Sequence, residues 1–386
     1  MDSKKIYAKE IIYKATLFSA LAMSVAACSG FGLFGCLIAF CAAAVFTKAD
    51  DKKTLLYALT GFAVSLYSVS TIGAGLSVIA FCAAGLLYFA FSRISALKNA
   101  VSNPAAEMFF IFASAITITV ITTNQYFGIG ASGTTVIEML KSYRSFGFHP
   151  NWRGILYGTI VMVVMITYPR KFKKASQYVN SAFLGLAVTF ILNIFLIPKS
   201  TVSPIAFTGT PEINFDFLND ISFSQIDAGG IFNMIIAAAA LALIILSANS
   251  KNESVKEAAA GSLLTVAIPF AAGYSMPGRF EFKKKSLICG LISAVLIAGI
   301  MLCGGFWPRM PVSSCAVVLI VAGWQNLHTG RFKTVFKNPA AVIAFLIPLI
   351  IAFFTNMPAG IISAALLSLI LGKKLPAEES PSHTAE

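Results

Sequence analysis

Residues 274–282 of the chain have the sequence YSMPGRFEF, and Lys283, Lys284 and Lys285 follow directly. The stretch separates an apolar run at 258–273 from another at 287–303. It is too short to cross a bilayer as a helix, which takes about 20 residues, but an extended strand with a short half-helix could cross. The number of membrane segments depends on whether this stretch crosses, and the distribution of charge along the rest of the chain indicates that it does.

The composition is typical of a membrane protein. The chain has 386 residues, of which 57% are hydrophobic and only 12% are charged, whereas about 25% of residues are charged in an ordinary soluble domain. The charged residues fall in short gaps between apolar stretches, as in a bundle that crosses lipid many times. The sequence therefore predicts an all-α polytopic membrane protein that is embedded in the lipid bilayer.

Thirteen apolar segments are evident. They lie at residues 11–29, 31–47, 55–71, 73–91, 109–127, 155–168, 182–197, 230–248, 258–273, 287–303, 311–324, 340–354 and 357–371. Several are shorter than the roughly 20 residues of a perpendicular spanning helix, which indicates broken or partial helices.

The Lys and Arg residues determine how the segments alternate across the membrane. With a cytoplasmic N-terminus, the first eight segments place their basic loops inside and the acidic 198–229 loop outside. Strict alternation then puts every later basic loop on the wrong side. One more crossing at 274–282 corrects all of them, so that 23 of the 29 basic residues lie inside, five lie outside and Arg279 lies within the membrane. We predict fourteen segments in the plasma (inner) membrane, with both termini cytoplasmic.

The same distribution argues against several functions. The net charge is +13, but the basic residues are scattered at segment ends, so no nucleic-acid partner is expected. The seven cysteines show no CxxC spacing and the three histidines lie far apart, so we expect no metal site and no cofactor. With so few acid, base or nucleophile candidates, the sequence predicts no catalytic residues and a protein that is not an enzyme.

Arg279 is the cation that this topology places inside the membrane. It follows Pro277 and Gly278, which break a helix and free backbone N–H groups. A half-helix that begins there directs positive potential at the midplane, so such a site should prefer an anion. Alternatively, Arg279 reaches the cytoplasmic headgroups with its lysine neighbours. No carboxylate lies in the middle of a clear segment, and Glu107 lies only at the mouth of the fifth. Cation or proton coupling usually needs a carboxylate within the membrane.

Several stretches resemble the SulP family of anion transporters. In the fifth segment, residues 112–118 (FASAITI) and 125–129 (QYFGI) are similar to a run of that family, and residues 168–172 (YPRKF) match its basic motif closing the sixth. Residues 310–312 (MPV) and 321–324 (VAGW), followed by an apolar pair broken at 355–357 (TNM), are similar to the family's last three segments.

The resemblance implies a fold of two inverted repeats of seven segments, with the third and tenth as broken half-helices. The predicted domains are residues 1–197 as the first repeat, 198–229 as an extracellular loop, 230–372 as the second repeat and 373–386 as a disordered cytoplasmic tail. It also implies a secondary transporter or exchanger of a small anion, such as sulfate, bicarbonate or a dicarboxylate, that works by alternating access. A homodimer is a further implication.

The resemblance also implies where the anion binds, between the third and tenth half-helices. Ser275 and Arg279 match a Ser and an Arg that line the family's site, and residues 60–62 occupy the facing position. The Thr and Gly at 60 and 61 fit a second helix terminus there, but they fit close helix packing equally well. The predicted substrate-binding residues are Ser19, Thr60, Gly61, Phe62, Ser275, Gly278 and Arg279.

Three departures from the family pattern favour a different interpretation. The family's Pro-Gln pair in the first segment is replaced by Phe18 and Ser19, and Leu243 stands where the eighth segment normally offers a Glu. The cytoplasmic STAS domain of the family is not found in the sequence. An alternative is therefore a degenerate homologue that no longer transports and serves as a membrane scaffold or partner subunit. A nucleobase permease of the same fold is another, although its Glu- and Gln-rich signatures are missing.

Overall fold

The computed structural model shows fourteen α-helices in the part of the chain that it describes. That part comprises residues 2–29, 33–47, 52–129, 133, 135–147, 149–196, 227–250, 262–263, 283–302, 310–325, 332, 335–372 and 375. The helices are α1 (Asp2–Ser29), α2 (Leu33–Phe46), α3 (Lys52–Ile72), α4 (Ala74–Phe91), α5 (Ser95–Val101), α6 (Pro104–Phe127), α7 (Val136–Phe146), α8 (Trp152–Lys171), α9 (Ser181–Leu196), α10 (Ala228–Ala248), α11 (Lys284–Leu302), α12 (Val312–Gln325), α13 (Pro339–Phe354) and α14 (Met357–Leu371). The predicted all-α class is confirmed.

Twelve of the fourteen predicted segments coincide with helices. Segments one to four are α1 to α4, segments five to eight are α6, α8, α9 and α10, and the last four are α11 to α14. The short helices α5 and α7 lie in the connections between them. The ninth and tenth segments, at 258–282, lie outside the described residues except for 262 and 263.

The helices are suited to lipid. Six are long and apolar enough to cross a membrane, and six shorter ones are also apolar. Large apolar side chains remain on the outer surface of the bundle, with Phe195 79% exposed and Ile370 77% exposed. Lipid solvates such side chains, whereas a water-soluble monomer rarely exposes so much apolar surface. The chain is a multi-pass membrane protein.

Asn side chains cap the first turn of five of the described helices, namely Asn103, Asn151, Asn180, Asn338 and Asn356. Asn103 precedes Pro104 and accepts hydrogen bonds from the N–H groups of the next turn, and Asn338 and Asn356 do the same at α13 and α14. These bonds satisfy helix N–H groups that have no partner within the helix. The Asn356 cap separates α14 from α13, which confirms the break expected at 355–357.

The third segment differs from the expected broken half-helix. Helix α3 runs without interruption from Lys52 to Ile72, and it ends just before Gly73, whose φ of 80° turns the chain into α4. The segment contains no proline, and Gly61 alone does not interrupt a helix, since it keeps its N–H group and loses only about 1 kcal/mol of helix propensity. The sequence-based expectation of a broken third segment was therefore wrong for this chain.

The helix packing repeats with a shift of seven segments. Helix α1 packs on α11 and α9, and its counterpart α10 packs on α4 and α14. Helix α8 packs on α9 and α12, and its counterpart α13 packs on α14 and α6. Each of these four contacts recurs when both helices are replaced by their counterparts, as expected for two repeats of seven segments. The predicted domain boundaries stay a prediction, because the 198–229 loop and the 373–386 tail lie almost wholly outside the described residues.

A glycine pair on α11 tests the packing of α11 on α2. A Cβ atom at Gly290 would lie 2.5 Å from Val45 Cα and would also collide with the Ala44 carbonyl oxygen, whereas a Cβ at Gly299 would meet nothing within 4 Å. We expect Gly290→Ala to lower the free energy of unfolding by about 1–3 kcal/mol, the usual cost of overpacking. Gly299→Ala should leave it unchanged or raise it, because alanine favours helix. Unfolding in mixed detergent micelles measures both, and equal effects would contradict this packing.

Candidate functional site

Helix α3 is joined to α6 by a buried hydroxyl contact. The Thr60 hydroxyl donates to Ser114 Oγ at 3.2 Å and approaches the Phe110 carbonyl oxygen at 3.4 Å. The Ser114 hydroxyl donates to that same carbonyl at 2.6 Å. Thr60 is 0% exposed and Ser114 is 1% exposed, so these polar groups lie wholly inside the bundle. The predicted site residue Thr60 thus contacts a serine of the FASAITI stretch.

One turn earlier on α3, Tyr57 makes a second polar connection. Its hydroxyl lies 3.2 Å from Glu107 Oε1 on α6 and 3.0 Å from Ser247 Oγ on α10. The Ser247 hydroxyl donates to the Val101 carbonyl oxygen at 2.8 Å. Tyr57 and Thr60 are three residues apart, so they lie on one face of α3. That face carries a ladder of polar contacts toward α6 and α10.

Gly61 and Phe62 lie in the interior of α3. The Gly61 carbonyl oxygen accepts a hydrogen bond from Ser65 Oγ at 2.9 Å, and Phe62 is completely buried. Helix α3 begins at Lys52, so residues 60–62 are not at a helix terminus. The expected free N–H groups at this position are therefore not found, and Thr60 provides a hydroxyl group instead.

Ser19 lies on α1 and is fully buried, and the residue before it, Phe18, packs on Phe40 of α2. Its hydroxyl has no hydrogen-bond partner among the residues that the structure describes. On the same helix, Lys14 is 2% exposed and forms an ion pair with Glu10 at 3.2 Å. Helix α12 packs on both α1 and α3, so Ser19 and Thr60 lie on helices that share a neighbour.

Three of the predicted site residues, Ser275, Gly278 and Arg279, lie outside the described residues. The predicted meeting of Arg279 with the Thr60 face of α3 therefore stays a prediction. Leu243, which the SulP resemblance places where that family has a Glu, is 5% exposed within a fully apolar stretch of α10.

The stretches that resemble SulP proteins pack against each other. The Trp324 indole N–H donates to Thr119 Oγ1 at 2.7 Å, and Gly323 lets α12 approach Ala115 on α6. At the other end of α6, the Gln125 side chain donates to the Cys28 carbonyl oxygen at 3.1 Å, which ties α6 to α1. Gly128 then ends α6 with a φ of 68°, a conformation that glycine adopts readily.

Sequence reasoning missed Tyr57, Ser114 and Ser247, and it placed Glu107 only at the mouth of a segment. In the structure Glu107 is 6% exposed. The three-residue spacing of Tyr57 and Thr60 was a usable signal, because it places two hydrogen-bonding groups on one face of an otherwise apolar helix.

No family model matches this sequence, and no curated protein matches it either. Solved structures do match. The chain is similar to the transmembrane domain of a cyanobacterium bicarbonate transporter, BicA, with a TM-score of 0.66 and 17% identity over 94% of this chain and 96% of that one. It is also similar to the overall structure of SLC26A9, with a TM-score of 0.64 and 11% identity over 95% of this chain and 66% of that one.

A third match is murine Slc26a9, described as an anion transporter in the inward-facing state, with a TM-score of 0.60 and 11% identity over 95% of this chain and 67% of that one. The chain therefore has the transmembrane fold of these transporters, and the predicted fold class is confirmed at this level as well.

A double-mutant cycle tests the contact of α3 with α6. We expect Thr60→Val and Ser114→Ala to be coupled by roughly 0.6 kcal/mol in the free energy of unfolding, the mean value for hydrogen bonds between membrane helices. Thr122 is a matched control, because it is equally buried but bonds to Ile118 of its own helix. The pair of Thr60→Val and Thr122→Val should be additive. Additivity in the Thr60 and Ser114 pair would contradict the contact.

Proposed function

We propose that this protein is a SulP-type secondary transporter or exchanger of a small anion. The observation that carries the proposal is the match to the BicA transmembrane domain, which covers 94% of this chain and 96% of that one. The match extends over nearly the whole length of both chains. The resemblance of the FASAITI, QYFGI and VAGW stretches to that family points the same way, and the FASAITI and VAGW stretches meet at the contact of α6 with α12.

The proposed anion site lies between α3 and the tenth segment. Arg279 supplies the counter-charge, and Ser275 and the backbone at Gly278 supply hydrogen-bond donors. On the facing side we assign Thr60, Gly61 and Phe62, with Ser19 from α1. The burial of Thr60 inside the polar face of α3 supports this assignment, since its hydroxyl could donate to an anion in exchange for its bond to Ser114.

The substrate is a small oxyanion in this proposal, either sulfate, bicarbonate or a dicarboxylate. All three present planar or tetrahedral oxygen groups that an arginine fork and hydroxyl donors can bind. Alternating access then follows from movement of the unit that contains α3 and α10 relative to the unit that contains α6 and α12 to α14. The hydrogen bonds of Thr60 and Tyr57 to α6 cross the boundary between these units.

We further propose a location in the plasma membrane with both termini cytoplasmic. The support is the charge asymmetry, since 23 basic residues fall on one side and five on the other when the tenth segment crosses. A homodimer is part of the same proposal and rests on the family resemblance alone.

One observation favours a second candidate, a homologue that no longer transports and acts as a scaffold or partner subunit. Leu243 is buried in apolar surroundings on α10, at the position where the family resemblance leads one to expect a Glu. Loss of that carboxylate would remove either a coupling group or a support of the site. Anion flux by the purified protein decides between the two candidates.

Arg279→Ala is the direct test of the proposed site. Wild-type protein in liposomes should exchange labelled sulfate, bicarbonate or a dicarboxylate, and the variant should lose at least about tenfold, the factor expected for removal of one charged hydrogen-bond donor. Arg93→Ala is the matched control, because Arg93 lies on the surface, where its guanidinium stacks on Phe89 at 4.5 Å.

The outcomes separate the alternatives. Equal flux in wild type and Arg279→Ala would remove Arg279 from the site. Exchange of a labelled nucleobase instead of an anion would identify a permease of that kind. An intact wild-type protein that moves none of these substrates would support the non-transporting homologue.

A further inference from the structure

A cluster of exposed cations lies at the end of helix α8. Four of the five residues at 170–174, the basic cluster, are positively charged, namely Arg170, Lys171, Lys173 and Lys174. All four side chains are exposed, and none of them forms an ion pair with another residue that the structure describes. The sequence contains no carboxylate from residue 139 to residue 211. The positive charge of the basic cluster is therefore not balanced by an acidic residue from this region of the chain.

The backbone holds the basic cluster in a defined shape. Helix α8 ends at Lys171, and the Phe172 N–H donates to the Tyr168 carbonyl oxygen at 2.9 Å. The Ser176 N–H donates to the Phe172 carbonyl oxygen at 2.9 Å, within a connection that continues as a single 3₁₀ turn at Ala175–Gln177. The four cations thus lie on an ordered surface, which reduces the conformational entropy that is lost when a ligand binds.

Hydrogen bonds to α1 fix the connection that carries the basic cluster. The Asn180 N–H donates to Thr16 Oγ1 at 3.1 Å, and Asn180 Nδ2 donates to the Tyr13 hydroxyl at 3.3 Å. Closer to the cluster, Lys9 Nζ donates to Gln177 Oε1 at 3.0 Å. The connection between α8 and α9 is therefore held against the bundle, and the position of the cluster at the end of α8 is defined.

The basic cluster continues an apolar stripe on the surface of α8. Leu156, Val163 and Ile166 are 59%, 53% and 39% exposed, and their spacing of seven and three residues places them on one side of the helix. Arg170 follows Ile166 by four residues and so lies at the end of the same stripe. Phe172, between the cations, is 59% exposed. The surface therefore passes from apolar to strongly positive along α8, as the interior and the headgroup layer of a bilayer do.

We propose that the basic cluster binds the headgroup of an anionic phospholipid, whose acyl chains lie along the apolar stripe of α8. Arg170 can bind a phosphate group through two parallel hydrogen bonds, and the lysines add positive charge. Clusters of four or more basic residues next to a membrane helix attract anionic headgroups. A free phosphate ion would use the cations alone, whereas the stripe that ends at Arg170 fits a molecule with both a charged head and acyl chains.

The inference goes beyond the proposed transport function and does not depend on it. In the proposed topology the lipid belongs to the cytoplasmic leaflet. Basic residues are common at that side of membrane proteins, and scattered ones attract anionic lipid only through the general surface charge. A bound headgroup differs from this general attraction, because it is weakened more by the loss of clustered cations than by the loss of equal charge elsewhere.

Two double variants with the same change of charge separate these cases. Lys173→Gln with Lys174→Gln removes two charges from the basic cluster. Arg93→Gln with Lys337→Gln removes two exposed charges from separate connections, the first after α4 and the second before α13. Both connections are cytoplasmic in the proposed topology. The thermal midpoint of each variant without added lipid shows that it is folded.

Titration with short-chain phosphatidylglycerol, followed by native mass spectrometry of the intact protein in uncharged detergent, measures the affinity. The wild type should bind this lipid saturably. The Lys173 and Lys174 variant should have a dissociation constant at least about tenfold higher, as the loss of two surface cations predicts. The Arg93 and Lys337 variant should bind as the wild type does.

Two further ligands test the wild type without any substitution. Phosphatidylcholine of the same chain length has no net charge, and glycerol phosphate has the charge without the acyl chains, so both should bind much more weakly than phosphatidylglycerol. Equal weakening in the two double variants would overturn the proposal, because binding would then depend on total charge. Equal binding of phosphatidylcholine would exclude recognition of charge, and equal binding of glycerol phosphate would assign the cluster to a free anion. None of these outcomes depends on anion transport.

Discussion

The structure depends on one constraint, that a chain in hydrocarbon must satisfy its backbone polar groups internally. All the described spans are helical for this reason, and most hydroxyl side chains bond within their own helix. Thr122 donates to Ile118 and Ser65 to Gly61, each four residues earlier on the same helix. A hydroxyl that instead bonds to another helix is an exception, and Tyr57 and Thr60 are two such exceptions on one face of α3.

Small residues set how closely the helices approach. The α carbon of Gly290 lies against the backbone of α2, and Gly158 on α8 leaves room for the ring of Tyr126 on α6. With little hydrophobic drive between helices in lipid, such close packing and the few polar contacts hold the bundle together. Several helix contacts recur after a shift of seven segments, so the two halves pack in a similar way.

Helix α3 is continuous from Lys52 to Ile72, which changes the groups that the proposed site can use. The family resemblance suggested a helix terminus at Thr60, with free backbone N–H groups for the anion. In a continuous helix the backbone N–H groups at residues 60–62 are used within the helix, so α3 can offer an anion only side-chain groups there. In the proposed site the positive charge is therefore assigned to Arg279, and the α3 side has hydroxyl groups and the contact with Glu107. The carboxylate that sequence reasoning did not find inside a segment is present at the junction of α3, α6 and α10.

The sequence by itself determined that the chain lies in a membrane. It also determined the positions at which most of the helices begin, end and break. Asn103 with Pro104, Gly128 and Asn356 act within a few residues, so their effects are local and visible in the sequence. Charge placement along the loops predicts an extra crossing at 274–282, a stretch outside the described residues. Only the tertiary structure decided which polar groups meet. Membrane helices are apolar on all sides, so the pattern that marks the inner face of a soluble helix is missing. Glu107 and Ser247 lie 50 and 190 residues after Tyr57 along the chain, and only helix packing brings them into contact with it.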